Sequence, residues 1–277
     1  MARVAELLAE AALDGDEARR EAELLLCRAL DKPRSYLFAW PEAEVDELPA
    51  SIYRSWVGER RRGVPVAHLL GEREFWSLTL AVTGATLIPR PDTEILVEWA
   101  LELPLPDDAK VVDLGTGSGA IALALASERP DWRVTATDSS PEALLVARAN
   151  GARCGLDGVR FAEGSWFDGL GDETFDLVLS NPPYVAAGDR CLVTGDLRFE
   201  PRTALVADDN GYADLAAIIA AAPQHLQANG YLLLEHGNGQ GAGVRARLEA
   251  AGFAAVSTRR DLAGHERVSA GRWSGGG

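Results

Sequence analysis

Lys110–Gly119 reads KVVDLGTGSG. KVVDL has the β-branched and aliphatic make-up of a buried strand. Gly115, Gly117 and Gly119 then punctuate a short loop, and AIALALASERP follows with helical length, stopping before Pro130. A strand, a glycine turn and a helix are the opening unit of an alternating α/β sheet. The rest of the chain repeats the alternation. RVTATD is a strand, followed by a helix with Ser140 as N-cap and Pro141 at its first position. VRFAEG and FDLVLS are strands, YADLAAIIAAAPQHL is a helix kinked at Pro223, YLLLEHG is a strand and GVRARLEAAG a helix. FAAVST and ERVSAGR close the chain as two strands with no helix between them. The pattern predicts a parallel, doubly wound sheet with helices on both faces and an antiparallel hairpin at one edge.

The chain before this sheet reads differently. Val4, Leu7, Leu8, Ala11 and Ala12 have helical spacing, as do Ala18, Ala22, Leu25, Leu26 and Ala29 after the DGD break at 14–16. Ile52 and Trp56 mark a further helix. Residues 1–70 are therefore expected to form a small helical domain. Leu78, Leu80 and Val82 alternate with Thr79, Ala81 and Thr83, and after the turn at Thr83–Gly84 the stretch ATLIP returns as a second strand, so 71–90 is expected to be a β-hairpin linker. RPDTE opens a helix with Leu96, Val97 and Ala100 on its apolar face. The α/β domain then spans 91–277, and Ser274–Gly277 reads as a disordered tail.

Composition narrows the function. The 277 residues carry a formal net charge of -15, with 47% hydrophobic and 25% charged residues, as in a globular enzyme. A chain this acidic is poorly suited to neutralise nucleic-acid phosphates. ERRRG, Glu59–Gly63, is the one compact basic run, and it reads as a solvated helix end. Cys27, Cys154 and Cys191 are widely spaced, and His68, His225, His236 and His265 have no metal-ligand spacing. The expectation is a reduced, cytoplasmic, metal-free monomer with neither signal peptide nor membrane span.

The glycine loop is G-x-G-x-G and not the dinucleotide pattern G-x-G-x-x-G, because Ala120 stands where that pattern has its third glycine. Asp113, two residues before the loop, would repel a pyrophosphate and tolerate a cationic ligand bearing an amino acid. S-adenosyl-L-methionine is such a ligand. Gly115, Thr116, Gly117, Ser118 and Gly119 are expected to hold it. Asp138 ends the next strand, where an acid accepts from both hydroxyls of a ribose. Trp166 offers a flat face to an adenine.

FDLVLS ends in Asn181, Pro182, Pro183 and Tyr184. In a doubly wound sheet these sit at the mouth of the ligand crevice. The prolines stiffen the loop. The Asn181 side-chain oxygen and the Pro182 carbonyl then accept from one planar –NH2 group, and Tyr184 stacks on the group that carries it. A flipped adenine and an amide side chain both present such a nitrogen.

DLGTGSG, Asp138, SNPPY and the flanking REFWSLTL, LIPRPDTE, RFEPRTALVA and LLLEHG resemble the bacterial release factor glutamine methyltransferases, over about Pro65–Arg272. The resemblance implies a class I methyltransferase fold with a seven-stranded sheet. It implies methylation of the N5 amide nitrogen of the glutamine in the Gly-Gly-Gln loop of class 1 peptide chain release factors. Gly115–Gly119, Asp138, Trp166 and Asn181 would contact S-adenosyl-L-methionine, Asn181–Tyr184 would hold the glutamine, and the helical domain would engage the release factor. Asn181 and Pro182 are the catalytic candidates. A DNA adenine-N6 methyltransferase is the alternative, disfavoured by the charge; a non-catalytic cofactor-binding protein is disfavoured by the intact NPPY. Residues 185–210 show little periodicity and are expected to form a lid or binding loop, with Arg198 and Glu200 contacting the substrate or pairing with each other.

Overall fold

The computed structural model describes residues 2–15 and 17–275. Asp16 of the DGD break and the last two residues of the expected tail lie outside them. The chain forms two compact units, Met1–Glu72 with Thr194–Phe199, and Arg73–Val193 with Glu200–Gly277.

The larger unit is built on seven strands: β1 (Lys110–Leu114), β2 (Arg133–Asp138), β3 (Arg160–Glu163), β4 (Phe175–Ser180), β5 (Leu226–Glu235), β6 (Ala254–Arg260) and β7 (Glu266–Arg272). Their order is β6-β7-β5-β4-β1-β2-β3. The pairs from β3 to β5 are parallel, and β7 runs antiparallel to both β5 and β6. The expected edge hairpin is therefore present. Helices Glu94–Glu102 and Ala120–Glu128 supply the core on one face, with Val111, Leu177, Leu179 and Leu233. Helices Ala213–His225 and Gly241–Ala250 do so on the other, with Val112, Leu114, Val178, Leu232 and Leu234. Because both faces are covered, the central strands are continuous apolar runs. Each such side chain, fully buried, contributes about 1.5–3 kcal/mol.

The hairpin differs from the sequence reading. Its strands are Glu72–Phe75 and Leu78–Ala81, turned through Trp76 and Ser77 at φ 49° and 63°. Ala85–Pro89 is not a strand. A tight hairpin turn needs positive φ at its centre, which usually calls for Asn or Gly. Trp-Ser gives no such signal, and Thr83–Gly84 drew the turn to the wrong place.

The helical unit contains helices Val4–Glu10, Ala18–Leu30, Arg34–Ala39, Glu47–Arg61 and Val66–Leu70. Val4, Leu7, Leu25, Leu26 and Tyr53 form its core. Helix Glu47–Arg61, marked in the sequence by Ile52 and Trp56, buries Ala50, Tyr53 and Val57, with Trp56 packed partly buried against the same core and Ile52 exposed. The basic run is consumed internally. Arg60 makes 2.8 Å bonds to both oxygens of Glu21 and to Asp196, Arg61 donates to the carbonyls of Glu10 and Ala11, and Arg62 pairs with Glu59. No helix among the described residues is long and apolar enough to cross a membrane.

Candidate active site

The chain leaves β1 toward β2 and β3 at one edge, then returns to β4 on the other side of β1. The carboxyl ends of β1 and β4 therefore flank the point where strand order reverses, the place where such sheets bind ligands. Gly115–Gly119 leaves one end and Asn181–Tyr184 the other. Buried Ser180 ties the two ends together: its hydroxyl donates to the Leu114 carbonyl at 2.6 Å.

The glycine loop is set by hydrogen bonds to β2. The N–H groups of Gly115 and Thr116 both donate to the Thr137 carbonyl at 2.9 Å, and Gly117 N–H donates to Asp138 Oδ2 at 2.8 Å. Two glycines are required on steric grounds. At Gly115, φ is +72° and a Cβ would come within 3.3 Å of the Trp166 ring. At Gly119, φ is +85° and a Cβ would meet Leu123 and Ala147 at 3.1 and 3.3 Å. Gly119 thus serves close packing of helices Ala120–Glu128 and Pro141–Cys154, and does not line the cavity.

Asp113 departs from expectation. It is fully buried beneath the loop and takes a 2.6 Å bond from the Thr116 hydroxyl, while Oδ1 has no partner among the described residues. Burial pushes its carboxyl up to about 7. It braces the loop from below and does not face a ligand.

Gly115, Thr116, Gly117, Ser118, Asp138, Trp166, Asn181 and Pro183 all line one cavity of about 270 Å³. Trp166 reaches it at φ 51°, a left-handed conformation that bulky residues rarely adopt. The Thr137 hydroxyl donates to its carbonyl at 3.1 Å. Asp138 Oδ1 accepts from Ser140 N–H at 2.9 Å, so each carboxylate oxygen holds one backbone N–H and keeps capacity for another donor. Ser140 itself caps the next helix by accepting from Ala143 N–H.

The tetrapeptide divides. Asn181 Nδ2 donates to Thr93 Oγ1 at 3.1 Å, which leaves the side-chain oxygen to face elsewhere. Pro182 is buried and, like Tyr184, does not line the cavity. The Tyr184 ring packs into the core, its hydroxyl donates to Glu235 at 3.2 Å, and its carbonyl accepts from Gln240 Nε2 at 3.2 Å. Tyr184 therefore braces the loop from behind, in place of the expected stacking partner.

Several residues of the site were not anticipated. Arg90 and Thr93 of LIPRPDTE and Pro201 and Thr203 of RFEPRTALVA line the same cavity. Buried Glu200 joins these two segments, pairing with Arg90 and accepting from Ile88 N–H at 2.9 Å. It does not pair with Arg198, which donates to the Arg62 carbonyl. Segment 185–210 is partly ordered by a two-residue parallel pairing of Val185–Ala186 with Val206–Ala207. Asp214 also lines the cavity; burial and the charge of Asp208 push its carboxyl up. Glu235 is 2% exposed at the end of β5. Burial pushes it up to about 7, against the hydroxyls of Thr93 and Tyr184 and the charge of Arg267. The signal available in the sequence was an acid ending a run of leucines, YLLLEHG.

Residues 91–200 match the family described as Methyltransferase small domain, and residues 1–71 match PrmC N-terminal domain. The chain is 50% identical over 275 residues to the Release factor glutamine methyltransferase of Pseudomonas aeruginosa, covering 99% of this chain and 100% of that one. It is 48% identical over 264 residues to the protein of the same name from Shewanella oneidensis, covering 95% and 92%. Among solved structures, a methyltransferase from Pyrococcus furiosus aligns with a TM-score of 0.55 at 21% identity, covering 72% of this chain and 89% of that one. The hMettl16 catalytic domain aligns at 0.58 with 16% identity, covering 86% and 84%. These two likenesses concern the fold.

Proposed function

The chain belongs to the release factor glutamine methyltransferases, and from that premise we propose that it methylates the N5 amide nitrogen of the glutamine in the Gly-Gly-Gln loop of a class 1 peptide chain release factor. The observation that carries this reading is the Asn181 side chain, held through its nitrogen by Thr93 so that its oxygen is left as an acceptor at the cavity. S-adenosyl-L-methionine, when bound, supplies a methyl group on a sulfonium. The residues present fit it: the glycine loop offers a wall without side chains, Asp138 has acceptor capacity for two ribose hydroxyls, and Trp166 has a ring face for adenine.

An amide nitrogen is a poor nucleophile because its lone pair is delocalised into the carbonyl. Asn181 Oδ1 accepts from the glutamine –NH2, whereas Pro182, expected to supply a second acceptor, stands outside the cavity lining. The Asn181 oxygen favours a nitrogen that is pyramidal and partly positive over the flat ground state, which is preferential binding of the transition state. Holding that nitrogen in line with the methyl group supplies a further share, up to about 7–11 kcal/mol for well-oriented reactants. The proton leaves to water after transfer. The helical domain engages the release factor, and the enzyme works as a cytoplasmic monomer; that it acts without nucleic acid is supported by the net charge of -15. Adenine in DNA is the disfavoured substrate, since the relatives carry the release factor name across almost their whole length. Transfer of labelled methyl to purified release factor, with none to DNA, is the expected result; label in DNA alone would overturn the assignment.

A further inference from the structure

Asn181 can act as an acceptor only if its amide faces the right way. Turned over, it would set its own –NH2 against the –NH2 of the substrate. The orientation is fixed by its neighbour, since Asn181 Nδ2 donates to Thr93 Oγ1 at 3.1 Å. Thr93 is 4% exposed and lines the cavity, so its own proton turns either to a neighbour in the protein or into the cavity. Glu235 lies behind it. Oε1 already accepts from the Tyr184 hydroxyl at 3.2 Å, and Oε2 is buried with no hydrogen-bond partner among the described residues. The Thr93 hydroxyl lowers the pKa of this carboxyl, although no hydrogen bond joins the two side chains among the described residues.

We propose that Glu235 is a positioning residue whose carboxylate sets the direction of the hydrogen bonds behind Asn181–Tyr184, so that Asn181 offers its oxygen to the substrate amide. This rests on the glutamine-methylating reading above. An ionised carboxylate only accepts. Facing one, Thr93 turns its proton toward Glu235 and accepts from Asn181, and the chain runs from Asn181 to Thr93 to Glu235. A protonated Glu235 donates to Thr93 instead. Thr93 then gives its proton to Asn181, which must turn its oxygen inward and its –NH2 toward the cavity. The proton that reverses the chain comes from solvent, and no bond other than O–H is made or broken.

The charged and titratable groups around Glu235 come from three elements. Arg267 of β7 acts on it while pairing with Asp261 at 2.8 Å and with Asp92 at 3.2 Å. Asp92, in the turn Pro91–Thr93, opposes ionisation, and Tyr184 remains a phenol because burial pushes its pKa up. His236, next in the chain, has its pKa lowered by burial and bonds Ser269 at 2.9 Å. With Glu235 pushed up to about 7, the reversal falls near neutral pH.

The test uses the full chain. In Glu235→Gln the side chain carries a permanent –NH2 donor, the counterpart of the protonated acid. Its kcat should fall by about a hundredfold at about pH 8. The affinity for S-adenosyl-L-methionine should be nearly unchanged, and the acid limb of the wild-type pH profile should disappear. Thr93→Val should do the same, and Thr93→Ser, which keeps the hydroxyl, should restore most of what Thr93→Val loses. A second readout needs no substrate. The side-chain amide NMR signal of Asn181 should shift between about pH 6 and about pH 8 in the wild type, and stay at its acidic position in Glu235→Gln. Wild-type kcat and pH profile in Glu235→Gln, or an Asn181 signal indifferent to pH in the wild type, would overturn the proposal. If the wild type left release factor unmethylated, the functional reading would fail, and the amide signal would still decide the role of Glu235.

Discussion

Asn181 donates from Nδ2 to the Thr93 hydroxyl at 3.1 Å, linking the NPPY loop to the LIPRPDTE segment across 88 residues of sequence. The bond commits one end of the side chain to the protein and leaves the other for chemistry. Asn181→Ala should therefore lower kcat by about 10²–10³, the loss typical of one preorganised polar contact to a transition state. Binding of S-adenosyl-L-methionine should change little. Steady-state kinetics and calorimetry check this, and near-normal kcat in the variant contradicts it.

Asp138 bonds the glycine loop and keeps capacity for two further donors. Asp138→Ala removes both functions. Cofactor affinity should fall by about 10- to 100-fold, the worth of hydrogen bonds to a charged acceptor. The rate at saturating cofactor should be less affected. Unchanged affinity would remove Asp138 from the binding site.

Glu200 is buried, with Arg90 and Ile88 N–H as its partners. Glu200→Ala strands both donors, and should cost about 1.5–3 kcal/mol of stability. Urea unfolding measures the loss. Activity should drop with it, because Arg90 and Pro201 line the cavity that Glu200 holds together.

How much of this could be read in advance depended on the range of the interactions. Lys110–Leu114 and the six strands after it announced themselves, because a sheet covered on both faces writes its burial as local runs of Val, Leu and Ala. The cavity-lining glycines, Asp138 and Asn181 followed from the rule that ligands sit at the carboxyl ends of such strands. Thr93, Glu200 and Glu235 did not follow, since each takes its meaning from residues far away in sequence: Thr93 from Asn181, Glu200 from Arg90 and Glu235 from Tyr184. Tyr184 was misread for the same reason. An aromatic ring beside a ligand loop suits stacking, and only the position of β5 turns it inward. The Trp76–Ser77 turn adopts positive φ without a residue that favours it, so local sequence carried no sign of it.

Two buried acids make stability depend on pH. Asp113 rises from 3.8 to about 7 on folding, and Glu235 from 4.5 to about 7. Across that window the unfolded chain has lost protons that the folded chain retains. The folded state binds more protons, so these groups lower stability as pH rises from about 4 to about 7, and their penalty is complete above it. Asp113→Asn cannot ionise and should flatten this dependence. Unfolding midpoints at about pH 5 and about pH 8 should lie closer together in the variant than in the wild type. An unchanged difference would remove Asp113 as a source.

The central claim is that one amide nitrogen is the methyl acceptor. Purified class 1 release factor should be incubated with this protein and S-adenosyl-L-methionine, and the Gly-Gly-Gln peptide sequenced by tandem mass spectrometry. The account predicts a single added methyl group on the glutamine side-chain nitrogen with the wild type, and about 10²–10³-fold less of it at early times with Asn181→Ala. An unmodified glutamine after wild-type incubation, or a methyl group on another residue, would contradict it.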